Sequence, residues 1–441
     1  MMKTAKQKAI FAILAIAACV VITLILFITH TINRSSQSDG PGSSQEVASP
    51  LPKKTIVCSY GGNDVTVRQL IRTFQELNPD IEVKLQQLPS STDYQRSVYE
   101  IALSSGDTSI DVFFADIVWI AELASNNRIT ALDDYFGEDM RKEFLANALD
   151  ACSYKGKIYA VPLRTDAPFL YYRKDIISTP PATYSELIAQ TKKHINDPGI
   201  KYGYVLQGYS YEGLVCNALE FIWNNGGSVL ENGKATINSP QSIEGLQTMI
   251  DLIHSGISSE DVLTFQEDDS IMAFNDGSSI FLRNWPYAYR FFNAYDSKVK
   301  GKVGIAPLPK GPQGTVSSGT LGGWNLVINK NSKNPDLAWR FIQWMSSYEA
   351  QALDNRLGGY APTRKSVYND AELNRITPWI SEFKNIFEAA KPRPVSPYYS
   401  SISGSMQKNF SDALYRKIDA KTAIENIEKD LNLLLSKQTD K

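Results

Sequence analysis

Histidine is nearly absent: the 441 residues contain three, His30, His194 and His254. His30 adjoins an apolar run and the others fall in helical contexts, so a histidine-built metal site or Ser-His-Asp triad has almost nothing to be assembled from. Cysteine is as sparse, with four residues, of which Cys58, Cys152 and Cys216 follow the N-terminal region. That odd number excludes a disulfide framework and leaves buried small hydrophobes, with one bridged pair as the alternative. No P-loop, HExxH, GxSxG, CxxC or dinucleotide fingerprint occurs, and Gly61-Gly62 is too little for a phosphate cradle and reads as a tight turn. An excess of one charge is also missing, since 45 Lys and Arg stand against 47 Asp and Glu. No basic surplus exists to neutralise a phosphate backbone, which argues against a nucleic-acid partner. A two-carboxylate glycoside hydrolase stays open, because that chemistry needs only an acid and a base or nucleophile.

What is present begins with length. At 441 residues the chain exceeds the roughly 250–300 residues at which single cores stop growing, so two or three packed units are expected. Ala9 to Ile28 is one apolar run, and at about 1.5 Å per residue it can cross a hydrocarbon core of roughly 30 Å. Lys3, Lys6 and Lys8 precede it, which holds the N-terminus in the cytoplasm and sends the body across the membrane. Two readings compete for residues 1–32: an uncleaved transmembrane anchor, and a lipoprotein signal cut at Cys19, for which Ile16-Ala17-Ala18-Cys19 resembles a lipobox. Either one tethers the body to the extracytoplasmic face of the cell membrane. Residues 33–54 are rich in Ser, Gly and Pro and read as a flexible linker.

The body reads as α/β. A strand at Thr55–Cys58 precedes a helix with apolar positions Val67, Leu70, Ile71, Phe74 and Leu77. Ile81–Leu85 alternates with period two, Tyr94–Leu103 returns to helix, and Ile110–Ala115 is a short apolar run suited to a buried strand. Right-handed crossovers make this an open, largely parallel sheet. Helices are expected at Tyr184–His194, Ser242–His254 and Pro335–Ser346, and a Pro-stiffened loop at Lys391–Pro397. Aromatic side chains recur beside fixed polar groups at loops: Arg164-Thr165-Asp166 before Phe169-Leu170-Tyr171-Tyr172, Arg283-Asn284-Trp285-Pro286-Tyr287 and Gly322-Gly323-Trp324. Such a pattern suits a sugar, with its apolar C–H face and rim of hydroxyls, while filling a large core is the plainer use of the same rings.

The ordered set of segments resembles the extracellular solute-binding protein family of bacterial and archaeal ABC sugar importers, nearest its trehalose/maltose-binding branch. The likeness is carried by Phe74 to Val83, Ser104 to Phe113, Thr165-Asp166-Ala167-Pro168 before Leu170 to Asp175, Arg283 to Tyr287, Gly322-Gly323-Trp324, and Gly359 to Arg364. It implies a two-lobed periplasmic-binding-protein-like fold with a ligand cleft and hinge closure, the lobes being 55–161 with 305–357, and 162–304 with 358–441. It implies a monomeric ectodomain without enzymatic activity, cofactor or metal, which captures a disaccharide or α-glucoside and delivers it to an ABC permease. Carried over by position, the resemblance gives Asp116 and Asp166 to sugar hydroxyls, one from each lobe. It gives Trp285 and Trp324 to stacking, Tyr287 to stacking or its hydroxyl, Gly323 to close backbone approach, and Arg364 to a fork across adjacent oxygens or a carboxylate. Arg96 and Glu122 are weaker additions, and Arg164 stands where close relatives place an aromatic, which implies an altered subsite. A sensory ectodomain that kept the fold is the remaining alternative.

Overall fold

The computed structural model describes residues 53–439 apart from 63, 64 and 383. The apolar run Ala9–Ile28, Cys19 and the linker up to residue 52 lie outside the described residues. Among the described residues no helix is long and apolar enough to cross a membrane. Cys58, Cys152 and Cys216 are all buried and free, and burial pushes each thiol up, away from the reactive thiolate.

Two sheets carry the architecture. In chain order their strands are β1 (Lys54–Gly61), β2 (Ile81–Leu88), β3 (Val112–Asp116), β4 (Val161–Asp166) and β5 (Phe169–Arg173). There follow β6 (Tyr202–Val205), β7 (Ser279–Asn284), β8 (Val303–Ala306), β9 (Gly322–Ile328) and β10 (Ala361–Pro362). The first sheet has six strands in the order β10-β4-β9-β3-β1-β2, and the second has four in the order β8-β5-β7-β6. β1 runs parallel to β2 and β3, as the alternation of strands and helices requires. The largely parallel expectation fails beyond these strands and the β6–β7 pair: β9 returns from the far side of the chain and pairs antiparallel with both β3 and β4, β10 pairs antiparallel with β4, and β5 pairs antiparallel with β7 and β8.

Each sheet is covered by helices whose periodicity sets the buried face. Val65–Leu77 buries Val67, Leu70, Ile71 and Phe74 at helical spacing, whereas Leu77, on the last turn, is 60% exposed. The first core joins these to Val112–Ala115, Leu326–Ile328 and Phe341. The second gathers Ala167, Phe169–Tyr171, the apolar residues of the helix Glu212–Asn224, which is buried on all sides, and the C-terminal helices.

The chain passes between the cores at places shifted from the expected boundaries. Val161 and Leu163 pack in the first core while Ala167 and Phe169 pack in the second, so all of β4 belongs to the first sheet and 162 is not the crossing. Pro168, which has no N–H for a ladder, separates β4 from β5. The return is late as well: β8 spans 305 and sits in the second sheet, and the chain rejoins the first only at β9. β10, beyond 358, still pairs with β4. These offsets correct one detail of the site, because Asp116 ends β3 and Asp166 ends β4. The two carboxylates thus stand on one sheet with β9 between them, and not on opposite lobes.

Candidate functional site

A cleft of about 560 Å³ opens where β3 and β4 end and β9 begins, opposite the segments that follow β7 and open the helix Glu212–Asn224. Its floor is a set of rungs in the first sheet. Trp324 on β9 lies across from Asp116 on β3 and from Arg164 on β4, and Gly322 lies across from Asp166. Gly323 has φ of +148°, and a Cβ there would sit 2.5 Å from the Arg164 carbonyl oxygen, so glycine is required where the strand is most crowded. A Cβ on Gly322 would come within 3.1 Å of the Trp285 ring and 3.2 Å of Asp166 Cβ, which brings this backbone up against both walls.

Charge in the cleft is unevenly satisfied. Asp116 Oδ1 accepts from the Val118 backbone N at 3.2 Å and from Arg393 Nη2 at 3.0 Å. Arg393 Nη1 donates to Glu212 Oε1 at 2.6 Å, and Glu212 also accepts from the Tyr399 hydroxyl at 2.5 Å and from Ser403 Oγ at 2.5 Å. Burial raises the Asp116 carboxyl against the opposing pull of Arg393. Asp166 is 7% exposed and its Oδ1 has no hydrogen-bond partner. Burial pushes this carboxyl up to about 7, with Arg164 pulling it down and Asp116 pushing it further up. Beside the cleft, outside its lining, Asp93 is raised to about 6, by burial and then by the charge of Glu212.

The aromatic walls are held by polar supports. Trp285 follows β7; its carbonyl accepts from the Tyr171 hydroxyl at 2.9 Å, its backbone N donates to Asn284 Oδ1 at 2.7 Å, and its indole Nε1 lies 3.4 Å from Glu267 Oε1. Trp324 meets the edge of Trp119 at 5.8 Å. Tyr287 and Tyr360 lie 5.9 Å apart, and the Arg164 guanidinium covers the Tyr360 ring at 3.4 Å. Arg164 is also held by Asp354 through two bonds of 2.7 Å, so its charge is matched outside the cleft while its plane backs an aromatic wall.

Of the residues expected from sequence, the cleft brings together Asp116, Asp166, Trp285, Tyr287, Gly323, Trp324 and Arg164. Arg364 stands apart. After β10 the chain turns to bridge Phe144, and the Arg364 side chain donates from Nε to the Ser346 carbonyl at 2.9 Å and lies over the Phe144 ring at 5.0 Å. Arg96 and Glu122 are likewise outside the lining: Arg96 pairs with Glu100 at 2.9 Å and Glu122 at 2.8 Å, and Glu122 accepts from Ser400 Oγ at 2.7 Å. Among lining residues not foreseen are Arg393, Glu212, Tyr211, Glu267, Tyr360 and Gln95. Arg393 has a visible signal, an arginine fixed between two prolines in the stiffened loop. Glu212 follows the aromatic stretch Tyr209-Ser210-Tyr211, and nothing local sets it apart. Among the described residues no cluster of His, Cys, Asp and Glu is arranged to hold a metal ion.

Against this geometry the comparisons with known proteins agree. MalE3 of T. maritima, solved with maltose bound, superposes with a TM-score of 0.83 at 38% identity, covering 86% of this chain and 99% of that one. A probable ABC transporter-binding protein of Deinococcus radiodurans is 32% identical over 77% of this chain and 83% of its own length. The maltotriose-binding protein of Pyrococcus abyssi is 26% identical over 84% of this chain and 79% of its own. Residues 61–352 match the family described as bacterial extracellular solute-binding protein. The chain belongs to the bacterial extracellular solute-binding protein family.

Proposed function

We propose that the protein captures a disaccharide or other α-glucoside outside the cytoplasmic membrane and delivers it to the permease of an ABC importer. The observation that carries this reading is the pairing, in one cleft of about 560 Å³, of Trp324 from the first sheet with Trp285 from beyond the second, beside the buried and incompletely bonded Asp166. A volume of that order suits a small solute. The indoles stack on the C–H faces of sugar rings, and Asp166 accepts from their hydroxyls. Arg393, bonded to Asp116 and Glu212, offers a planar fork to vicinal oxygens once these bonds rearrange. Tyr287 and Gly323 complete the contact surface. Arg364, Arg96 and Glu122 are left out of this set because their partners lie elsewhere.

The two cores are the bodies that close on the solute, and Arg393 ties them, since it rides on chain packed with the second core and bonds Asp116 of the first sheet. The apolar run Ala9–Ile28 tethers the body to the membrane, as an intact anchor or through lipidated Cys19. The relatives that carry maltose or maltotriose in their names support a glucose-based ligand. Calorimetric titration with maltose, trehalose, sucrose and maltotriose tests the reading: saturable one-to-one binding of at least one is expected, and no heat from any would count against it.

A further inference from the structure

One buried carboxylate touches the supports of both cleft tryptophans. Glu220, on the helix Glu212–Asn224, is 2% exposed and faces Arg283, which is 1% exposed. Arg283 Nε donates to Glu220 Oε2 at 2.8 Å and Nη2 donates to Oε1. Arg283 Nη1 donates to Gln207 Oε1 at 3.0 Å, and that oxygen also accepts from Asn217 at 3.0 Å. Held on these sides, the guanidinium covers one face of Trp285 at 4.2 Å from the ring centre.

The same Glu220 Oε1 accepts from the backbone N of Thr320 at 3.2 Å. Thr320 Oγ1 donates to the Cys216 carbonyl at 3.1 Å, one turn earlier on the helix, and the Ser318 N donates to Asn224 Oδ1 at 2.7 Å. This strap, 318–320, leads directly into β9, whose opening Gly322-Gly323-Trp324 carries the other ring. A buried ion pair adds little net stability over apolar side chains of equal volume, while it does impose a fixed geometry on whatever it bonds.

We propose that Glu220 and Arg283 are positioning residues for solute capture, the pair setting the spacing and tilt of Trp285 against Trp324 and so which ring-to-ring spacing of a glycoside the cleft accepts. The inference rests on both tryptophans being stacking platforms. Neither residue touches solute; each acts through a neighbour.

The test replaces the pair by apolar side chains of similar volume, Glu220→Leu with Arg283→Met, in the full chain. Maltose, trehalose, sucrose and maltotriose are titrated calorimetrically into parent and variant. The expected result is a melting temperature no lower than a few degrees below the parent, affinity weaker by about tenfold or more for the sugar the parent binds best, and a changed order of preference among the four. Tryptophan emission of the free protein should also shift, because Trp285 loses its cationic neighbour. Where that double variant does not fold, Glu220→Gln keeps the volume while turning an N–H group toward Arg283 or Thr320, and the same losses are expected. A folded variant with parental affinity and preference overturns the proposal when Trp285→Ala does weaken binding. If Trp285→Ala binds like the parent, or the parent binds none of the four sugars, the platform reading fails and the proposal falls with it.

Discussion

Arg393 Nη2 donates to Asp116 Oδ1 at 3.0 Å, joining a loop of the second core to a strand end of the first. The pair is buried, with side chains 2% and 10% exposed, and Glu212 shares the guanidinium at 2.6 Å. Removing the cation therefore leaves two carboxylates facing each other in a low-dielectric cleft. Arg393→Met should lower stability by about 3–5 kcal/mol, the usual cost of breaking a buried pair. Denaturant unfolding checks this, and adding Asp116→Asn and Glu212→Gln should recover part of the loss.

Trp285→Ala and Trp324→Ala each remove a stacking face. Binding should weaken by about 1–4 kcal/mol in each case with the fold retained, as read by calorimetry and circular dichroism. Parental affinity in both variants would return these rings to the role of core filler.

Arg364 provides the opposite control. Its guanidinium is committed to the Ser346 carbonyl and the Phe144 ring, so Arg364→Ala should cost about 0.5–1.5 kcal/mol of stability, the worth of an ordinary hydrogen bond, and leave solute affinity unchanged. A tenfold loss of affinity would restore the residue to the binding set.

Asp166 sets a pH dependence. Its carboxyl is raised from the ordinary 3.8 to about 7, so between these values the folded chain holds a proton that the unfolded chain has released. Through this group stability rises as pH falls from about 7 to about 4, and is lost as pH rises back through that window to the folded value of about 7. Sugar hydroxyls bonding the ionised carboxylate oppose that shift, so capture should release protons near pH 7 and tighten from about pH 6 to 8. Titrations in buffers of different ionisation enthalpy measure the release, and Asp166→Asn should abolish it.

The layers of the fold were legible because they are local. Val67, Leu70, Ile71 and Phe74 mark a helix face by spacing alone, and the alternation from Ile81 marks a strand. Much of the cleft was legible too, since Asp166, Trp285 and Gly323-Trp324 stand where strands begin or end, and the ends of these strands form the floor. What sequence could not convey was pairing between distant segments. That β9 inserts between β3 and β4, placing Asp116 and Asp166 on one sheet, depends on partners more than 150 residues apart in the register. The two arginines show the same limit: Arg364 and Arg393 both follow prolines or stiff turns, yet only Arg393 points into the cleft, because the bridge to Phe144 turns Arg364 away.

In the proposed function this cleft closes around a carbohydrate through Trp285, Trp324 and Asp166. The most direct test is calorimetric titration of maltose, trehalose, sucrose and maltotriose into the parent and into the Trp285→Ala/Trp324→Ala double variant. One-to-one binding of at least one sugar by the parent is expected, with loss of that binding in the folded double variant. Undiminished binding by the double variant, or no binding of any sugar by the parent, would contradict it.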